Sequence, residues 1–177
     1  MSKKFILILY GPQCSGKSSV AKLIIEKTAG TFHVYFDKIK WLISDYSAEK
    51  YSNTGIVNRL ALSLARQAAV EGFSILVEGN AQLIAEIDEY HKIAEANNQR
   101  LVQVNIEAPY ETLLERFNLR VKDAEIKKTK ISVTTEKGMK ERYDKYHELK
   151  DTQIPTFDSS VMSQEEILSE IEKLIKL

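Results

Sequence analysis

The chain has 177 residues and carries 25 basic and 25 acidic side chains, so its formal net charge is zero. That balance leaves no global basic field to draw in nucleic acid or a membrane surface, and the length fits one domain whose core holds without staples. A single cysteine, Cys14, rules out an internal disulfide framework and suits the cytosol.

Taken in chain order, strand and helix patterns alternate. The N-terminal Met1-Ser2-Lys3-Lys4 runs directly into Phe5 to Tyr10, an unbroken apolar run that reads as a buried parallel strand. This run is far too short to span a bilayer and no small-residue cleavage site follows, so a cytoplasmic protein is expected. Residues 11–18 then read Gly11, Pro12, Gln13, Cys14, Ser15, Gly16, Lys17, Ser18, the G-x-x-x-x-G-K-S phosphate-binding loop. Its glycines let backbone wrap closely around a phosphate. Its N–H groups form an anion nest at a helix start, a cradle that extends to Ser19. Lys17 is placed for the β- and γ-phosphates and the Ser18 hydroxyl for Mg²⁺. Val20, Ala21, Leu23, Ile24 and Ile25 follow at helical spacing.

A second strand is expected over 32–36, ending at Asp37, with a short helix over 38–44 and a polar, aromatic loop over 45–54. A helix over 55–71 stops at Gly72. A third strand, 73–78, ends in Glu78 and is followed by Gly79 and Asn80, then a helix over 83–97 and a fourth strand over 101–106. Pro109 suits a first helical turn, and a helix continues over 110–121. A charged, weakly periodic stretch leads to a polar helix over 134–149, with Thr134 as its cap. A short strand over 154–157 and a capping box, Ser163-Gln164-Glu165-Glu166, open the C-terminal helix. Five strands alternating with helices predict an α/β three-layer sandwich, a parallel sheet covered on both faces, with right-handed crossovers. Ligands bind beyond the carboxyl ends of such strands, which singles out Asp37, Glu78, Asn80, Glu107 and Asp158.

A phosphate-binding loop does not name a reaction. The D-x-x-G and N-K-x-D motifs of a GTPase switch are missing, and Glu78 stands without the second acid of a motor ATPase. A small phosphotransferase needs an acceptor site and a cationic cover. Between Arg116 and Lys130 lie Arg116, Arg120, Lys122, Lys127, Lys128 and Lys130. Arg116 and Arg120 share a helix face and can clamp a transferring phosphoryl group.

With these features in place, the chain resembles the small P-loop kinases of the adenylate and shikimate kinase group, and within it the chloramphenicol-phosphotransferase-like and zeta-toxin-like kinases. The resemblance rests on the phosphate-binding loop, Asp37 after strand two, the Glu78-Gly79 pair, the Arg116/Arg120 helix and the ending Phe157-Asp158-Ser159-Ser160. It implies a single kinase domain over 1–177 with sheet order 2-3-1-4-5, ATP with Mg²⁺ as cofactors, and a lid at about 119–134. It also implies that Asp37 faces the acceptor, where it can orient or deprotonate a hydroxyl; the same residue is also suited to capping the helix at Lys38. Glu78 is read either as a metal or substrate contact beside Ser18 or as a structural hydrogen-bonding group. The expected catalytic set is Lys17, Asp37, Arg116 and Arg120, and the expected metal ligands are Ser18 and Glu78.

Other residues divide between binding and packing. Trp41, Tyr46 and Tyr51 either wall a flat acceptor or fill space. Arg59 and Asn80 have no local feature that demands a role. His33, His91 and His147 lack zinc-ligand spacing. Cys14 would block phosphate binding if oxidised, and Lys127, Lys128 and Lys130 fit a lid better than a nucleic-acid contact. The expected partner is a small-molecule acceptor rather than a membrane, with nucleic acid disfavoured by charge, and the chain acting as monomer or homodimer. A nucleoside monophosphate kinase, a polynucleotide end kinase and a non-enzymatic ATP-binding regulator are the competing readings.

Overall fold

In the computed structural model, residues 4–51, 55–79 and 86–176 are described. The strands are β1 (Phe5–Tyr10), β2 (Thr31–Tyr35), β3 (Ser74–Glu78), β4 (Arg100–Glu107) and β5 (Thr156–Asp158). All pair in parallel in the order β2-β3-β1-β4-β5, as the resemblance implied. The central strand is β1, and all six of its residues are buried. Each large aliphatic side chain buried there contributes about 1.5–3 kcal/mol.

Side chains alternate across the sheet, which divides the core in two. Ile6, Ile8, Val34, Ile75 and Val77 pack with Val57, Ala61, Ala65 and Ala68 of α4 (Ile56–Val70) and Ile93 of α5 (Ile87–Ala96). On the opposite face Leu7, Leu9 and Leu76 pack with Val20, Ala21 and Ile24 of α1 (Lys17–Lys27) and Ile167, Leu168 and Ile171 of α8 (Gln164–Lys176). A third apolar cluster joins Leu113 and Phe117 of α6 (Tyr110–Lys127) to Met139 of α7 (Glu136–Leu149) and Val133 before it.

Several boundaries differ from expectation. Helix α2 (Phe36–Leu42) begins one residue before Asp37, so Asp37 lies inside its first turn and Tyr35 is the N-cap residue; Asp37 is not a helix cap. A short helix, α3 (Ala48–Tyr51), interrupts the expected loop. Helix α6 runs on to Lys127, where buried Ala124 still faces the core, and stops at Lys128 in the left-handed conformation. The non-helical part of the expected lid is therefore residues 128–134. The cap of α7 is Thr135, whose hydroxyl accepts from the Gly138 N–H, not Thr134. The C-terminal capping box is present: Ser163 donates through its N–H and hydroxyl to Glu166, and the Glu166 N–H donates back. Asn80 and the expected helix start at 83–85 lie outside the described residues.

Candidate active site

The phosphate loop is shaped by the strand beside it. Gly11 has φ 144°, and a Cβ there would sit 2.1 Å from the Ile106 carbonyl oxygen of β4, so only glycine fits. Gly16 (φ 91°) ends the loop, and its carbonyl accepts the first bonds of α1, from Ser19 and Val20. Lys17 folds back over this loop. Its Nζ donates to the carbonyl oxygens of Gly11 at 2.9 Å and Pro12 at 2.7 Å, with the Ser15 hydroxyl at 3.4 Å. Loss of hydration lowers the Lys17 pKa from 10.5 to about 8, with Glu78, Cys14 and Asp37 opposing that shift and Arg120 adding to it. Glu78, Asp37 and Arg120, far from Lys17 in the chain, thus come close enough to act on it.

Sheet register explains the meeting. Leu9 of β1 pairs with Glu78, and Glu78 pairs with Tyr35 on its other side, so both strands end beside the start of α1. The Ser18 hydroxyl donates to Glu78 Oε1. Glu78 is 3% exposed, and its second oxygen faces His33 Nε2 at 3.2 Å. Burial and the Glu78 charge raise the Tyr35 pKa. Mg²⁺ takes hard oxygen ligands and keeps several waters. A hydroxyl and a carboxylate joined at the mouth of a phosphate loop fit that donor set, so Ser18 and Glu78 suit the ion.

The remaining expected residues part company. The Asp37 Oδ1 accepts from Lys40 Nζ at 2.6 Å, a pair in which the lysine is the more deeply buried partner. Its other oxygen has no hydrogen-bond partner among the described residues. Arg116 and Arg120 are one turn apart on α6, but Arg116 is engaged in the fold. Its guanidinium donates to the Ser159 hydroxyl at 2.9 Å, the Ser159 carbonyl at 2.8 Å and the Cys14 carbonyl at 3.4 Å. It thereby ties the phosphate loop to the turn after β5. Arg120 lies near Tyr35, Asp37 and Trp41 around a side pocket of about 120 Å³. Glu107 and Asp158, also at strand ends, serve the fold: Glu107 accepts from Tyr146 and Lys150, and Asp158 from Ser160.

A single cleft of about 1320 Å³ runs from the phosphate loop past Asp37, Glu78 and both arginines to α7. It exceeds the roughly 300–1,000 Å³ of a pocket for one small ligand. Tyr46 and Tyr51 line it, stacked at 5.6 Å, while Trp41 meets Tyr46 edge-on and is 41% exposed. The cleft also holds residues that sequence reasoning missed. Asn58 donates to Glu86 at 2.8 Å, and the second Glu86 oxygen is buried without a partner among the described residues. Arg142 and Lys145, spaced i, i+3 on α7, line the cleft as well. Their spacing was readable on the helix, but which way that face turned was not.

Comparison with known proteins identifies the fold and the family. No curated protein matches the chain. Among solved structures, a protein from Chloroflexus aurantiacus superposes with TM-score 0.72 at 13% identity, over 99% of both chains. Shikimate kinase from Aquifex aeolicus superposes with TM-score 0.59 at 16% identity, over 97% of this chain and 96% of that one. APS kinase from Mycobacterium tuberculosis, solved with AMPPNP and APS, does so with TM-score 0.57 at 14% identity, over 100% of both. At these identities the likeness establishes the fold, that of the P-loop kinases. The Zeta toxin family model matches residues 1–158, and the chain belongs to the Zeta toxin family.

Proposed function

We propose that the protein is an ATP-dependent phosphotransferase that moves the γ-phosphate of Mg-ATP to a hydroxyl of a small-molecule acceptor. The observation that carries this reading is the convergence of Lys17, Ser18, Asp37, Glu78 and Arg120 on one cleft with room for two ligands. A family of kinase architecture and a neighbour solved with an ATP analogue support it.

In this reading the loop N–H groups and Lys17 hold the β- and γ-phosphates. Ser18 and Glu78 hold Mg²⁺, which when bound neutralises charge on the phosphate oxygens. The free oxygen of Asp37 accepts the acceptor's hydroxyl proton as the hydroxyl oxygen bonds to the γ-phosphorus and the bond from that phosphorus to ADP breaks. Arg120 faces the equatorial oxygens of the transferring group, where such cations act. Arg116 positions the nucleotide by joining the phosphate loop to the β5–α8 turn. Residues 128–134 close over the phosphates and exclude water.

Arg142 and Lys145 favour one variant of this reading. They have no ion-pair partner among the described residues, and an acceptor that already carries a phosphate, such as a nucleotide, would supply one.

The test is ADP release from Mg-ATP across nucleosides, nucleotides, sugars, aminoglycosides, amphenicols and nucleic-acid ends, with Lys17→Ala and Asp37→Asn alongside. An acceptor-dependent signal is expected. It should vanish in Lys17→Ala and fall roughly 10²- to 10⁴-fold in Asp37→Asn, with ATP affinity kept in the latter. Tight ATP binding with no acceptor-stimulated release would point to a nucleotide-dependent regulator instead.

A further inference from the structure

We infer that His33 is a positioning residue for the metal-side carboxylate, an inference that rests on the kinase reading above. His33 and Tyr35 are two apart on β2, so they project from the same face of the sheet. Their rings stack at 5.3 Å with 4° between planes. Ser18 donates to one oxygen of Glu78, and the other oxygen lies 3.2 Å from His33 Nε2. These contacts and the ring stack join Ser18, Glu78, His33 and Tyr35 in a row at the mouth of the phosphate loop.

Two features point beyond packing. Glu78 is more than nine-tenths buried and lines the cleft. Its Oε2 and the His33 Nε2 are both buried, and neither has a hydrogen-bond partner among the described residues, although the distance between them suits one. Buried polar atoms are rarely left this way, and a slight turn of either group aligns them. A carboxylate held at one oxygen by Ser18 can still swing about its terminal bond. Held at the second oxygen by His33, it presents fixed lone pairs toward a cation. Partners that orient a metal-binding carboxylate in this way typically change metal affinity by 10- to 100-fold. The stack on Tyr35 limits the imidazole's rotation, which fixes the direction of Nε2.

The test compares full-length wild type, His33→Phe and His33→Gln. The phenylalanine keeps a ring for the stack but has no nitrogen; the glutamine restores a donor. Affinity for a non-hydrolysable ATP analogue is measured by calorimetry in EDTA and across a Mg²⁺ series. In His33→Phe, affinity in EDTA should stay within about twofold of wild type, while the Mg²⁺ needed for half of the affinity gain rises about tenfold or more. His33→Gln should return that midpoint to within about threefold of wild type. An unchanged Mg²⁺ midpoint in His33→Phe overturns the inference. So does an equal loss with and without metal, which would mark His33 as packing. If wild type itself gains no affinity from Mg²⁺, the kinase reading fails first and the inference falls with it. Should His33→Phe not fold, His33→Leu replaces it in the same comparison.

Discussion

Lys17 makes the grip on phosphate depend on pH. Its folded-state pKa of about 8 lies below the ordinary 10.5 because dehydration disfavours the ammonium. Below about pH 8 the side chain is cationic and ready for phosphate; above it the free protein must first take up a proton. Nucleotide affinity should therefore fall as pH rises past 8, by up to roughly tenfold per unit, and binding titrations at pH 7, 8 and 9 check this. The linkage to folding has the opposite sign. Between the folded and unfolded pKa values the unfolded chain binds more protons, so the Lys17 contribution to stability rises with pH in that window. Comparing denaturant midpoints of wild type and Lys17→Met across the same range isolates it. Gly11→Ala tests the other constraint on the loop. A Cβ meeting the Ile106 carbonyl should cost about 3 kcal/mol or more, lowering Tm by roughly 6–12 °C in a domain of this size.

Helix α7 shows how an element is fixed in place. The Tyr146 hydroxyl lies 2.8 Å from Glu107 Oε1 and 3.0 Å from Asn105 Oδ1, both on β4, and Lys150 pairs with the same glutamate. Burial and the Glu107 charge push the Tyr146 pKa up, so it remains a donor at neutral pH. Tyr146→Phe leaves the β4 acceptors short of one hydrogen and should cost about 1–2 kcal/mol. The checks are thermal unfolding and faster amide exchange along α7, the helix that brings Arg142 and Lys145 into the cleft. At this scale the sequence was informative where periodicity was long and apolar, as in β1 and α4. It misled at boundaries: α6 runs past its expected end because Ala124 still packs inward, and α2 starts before Asp37 because buried Phe36 belongs to its first turn.

At the scale of the whole molecule, the phosphate loop, the ends of β2 and β3, and the helices α6 and α7 act together only when folded. A ligand that binds this assembly, and not the unfolded chain, stabilises all of it. Mg-ATP at a hundred times its Kd should add about 2.7 kcal/mol, seen as a Tm rise of roughly 5–10 °C, and this rise should be absent in Lys17→Ala. Among the described residues no helix is long and apolar enough to cross a membrane. The sequence by itself determined the phosphate loop, because its glycines, lysine and serine carry their chemistry within eight consecutive positions. It also determined the alternating α/β layout, because burial on both faces of a parallel sheet leaves apolar runs that can be read directly. Only the tertiary structure decided that Glu78 meets Ser18 and His33, that Arg116 ties two loops together while Arg120 lines a side pocket with Asp37, and that Arg142, Lys145 and Glu86 share the cleft. Those contacts depend on strand register and helix rotation, which are set by packing between segments far apart in the chain and leave no trace in local residue spacing.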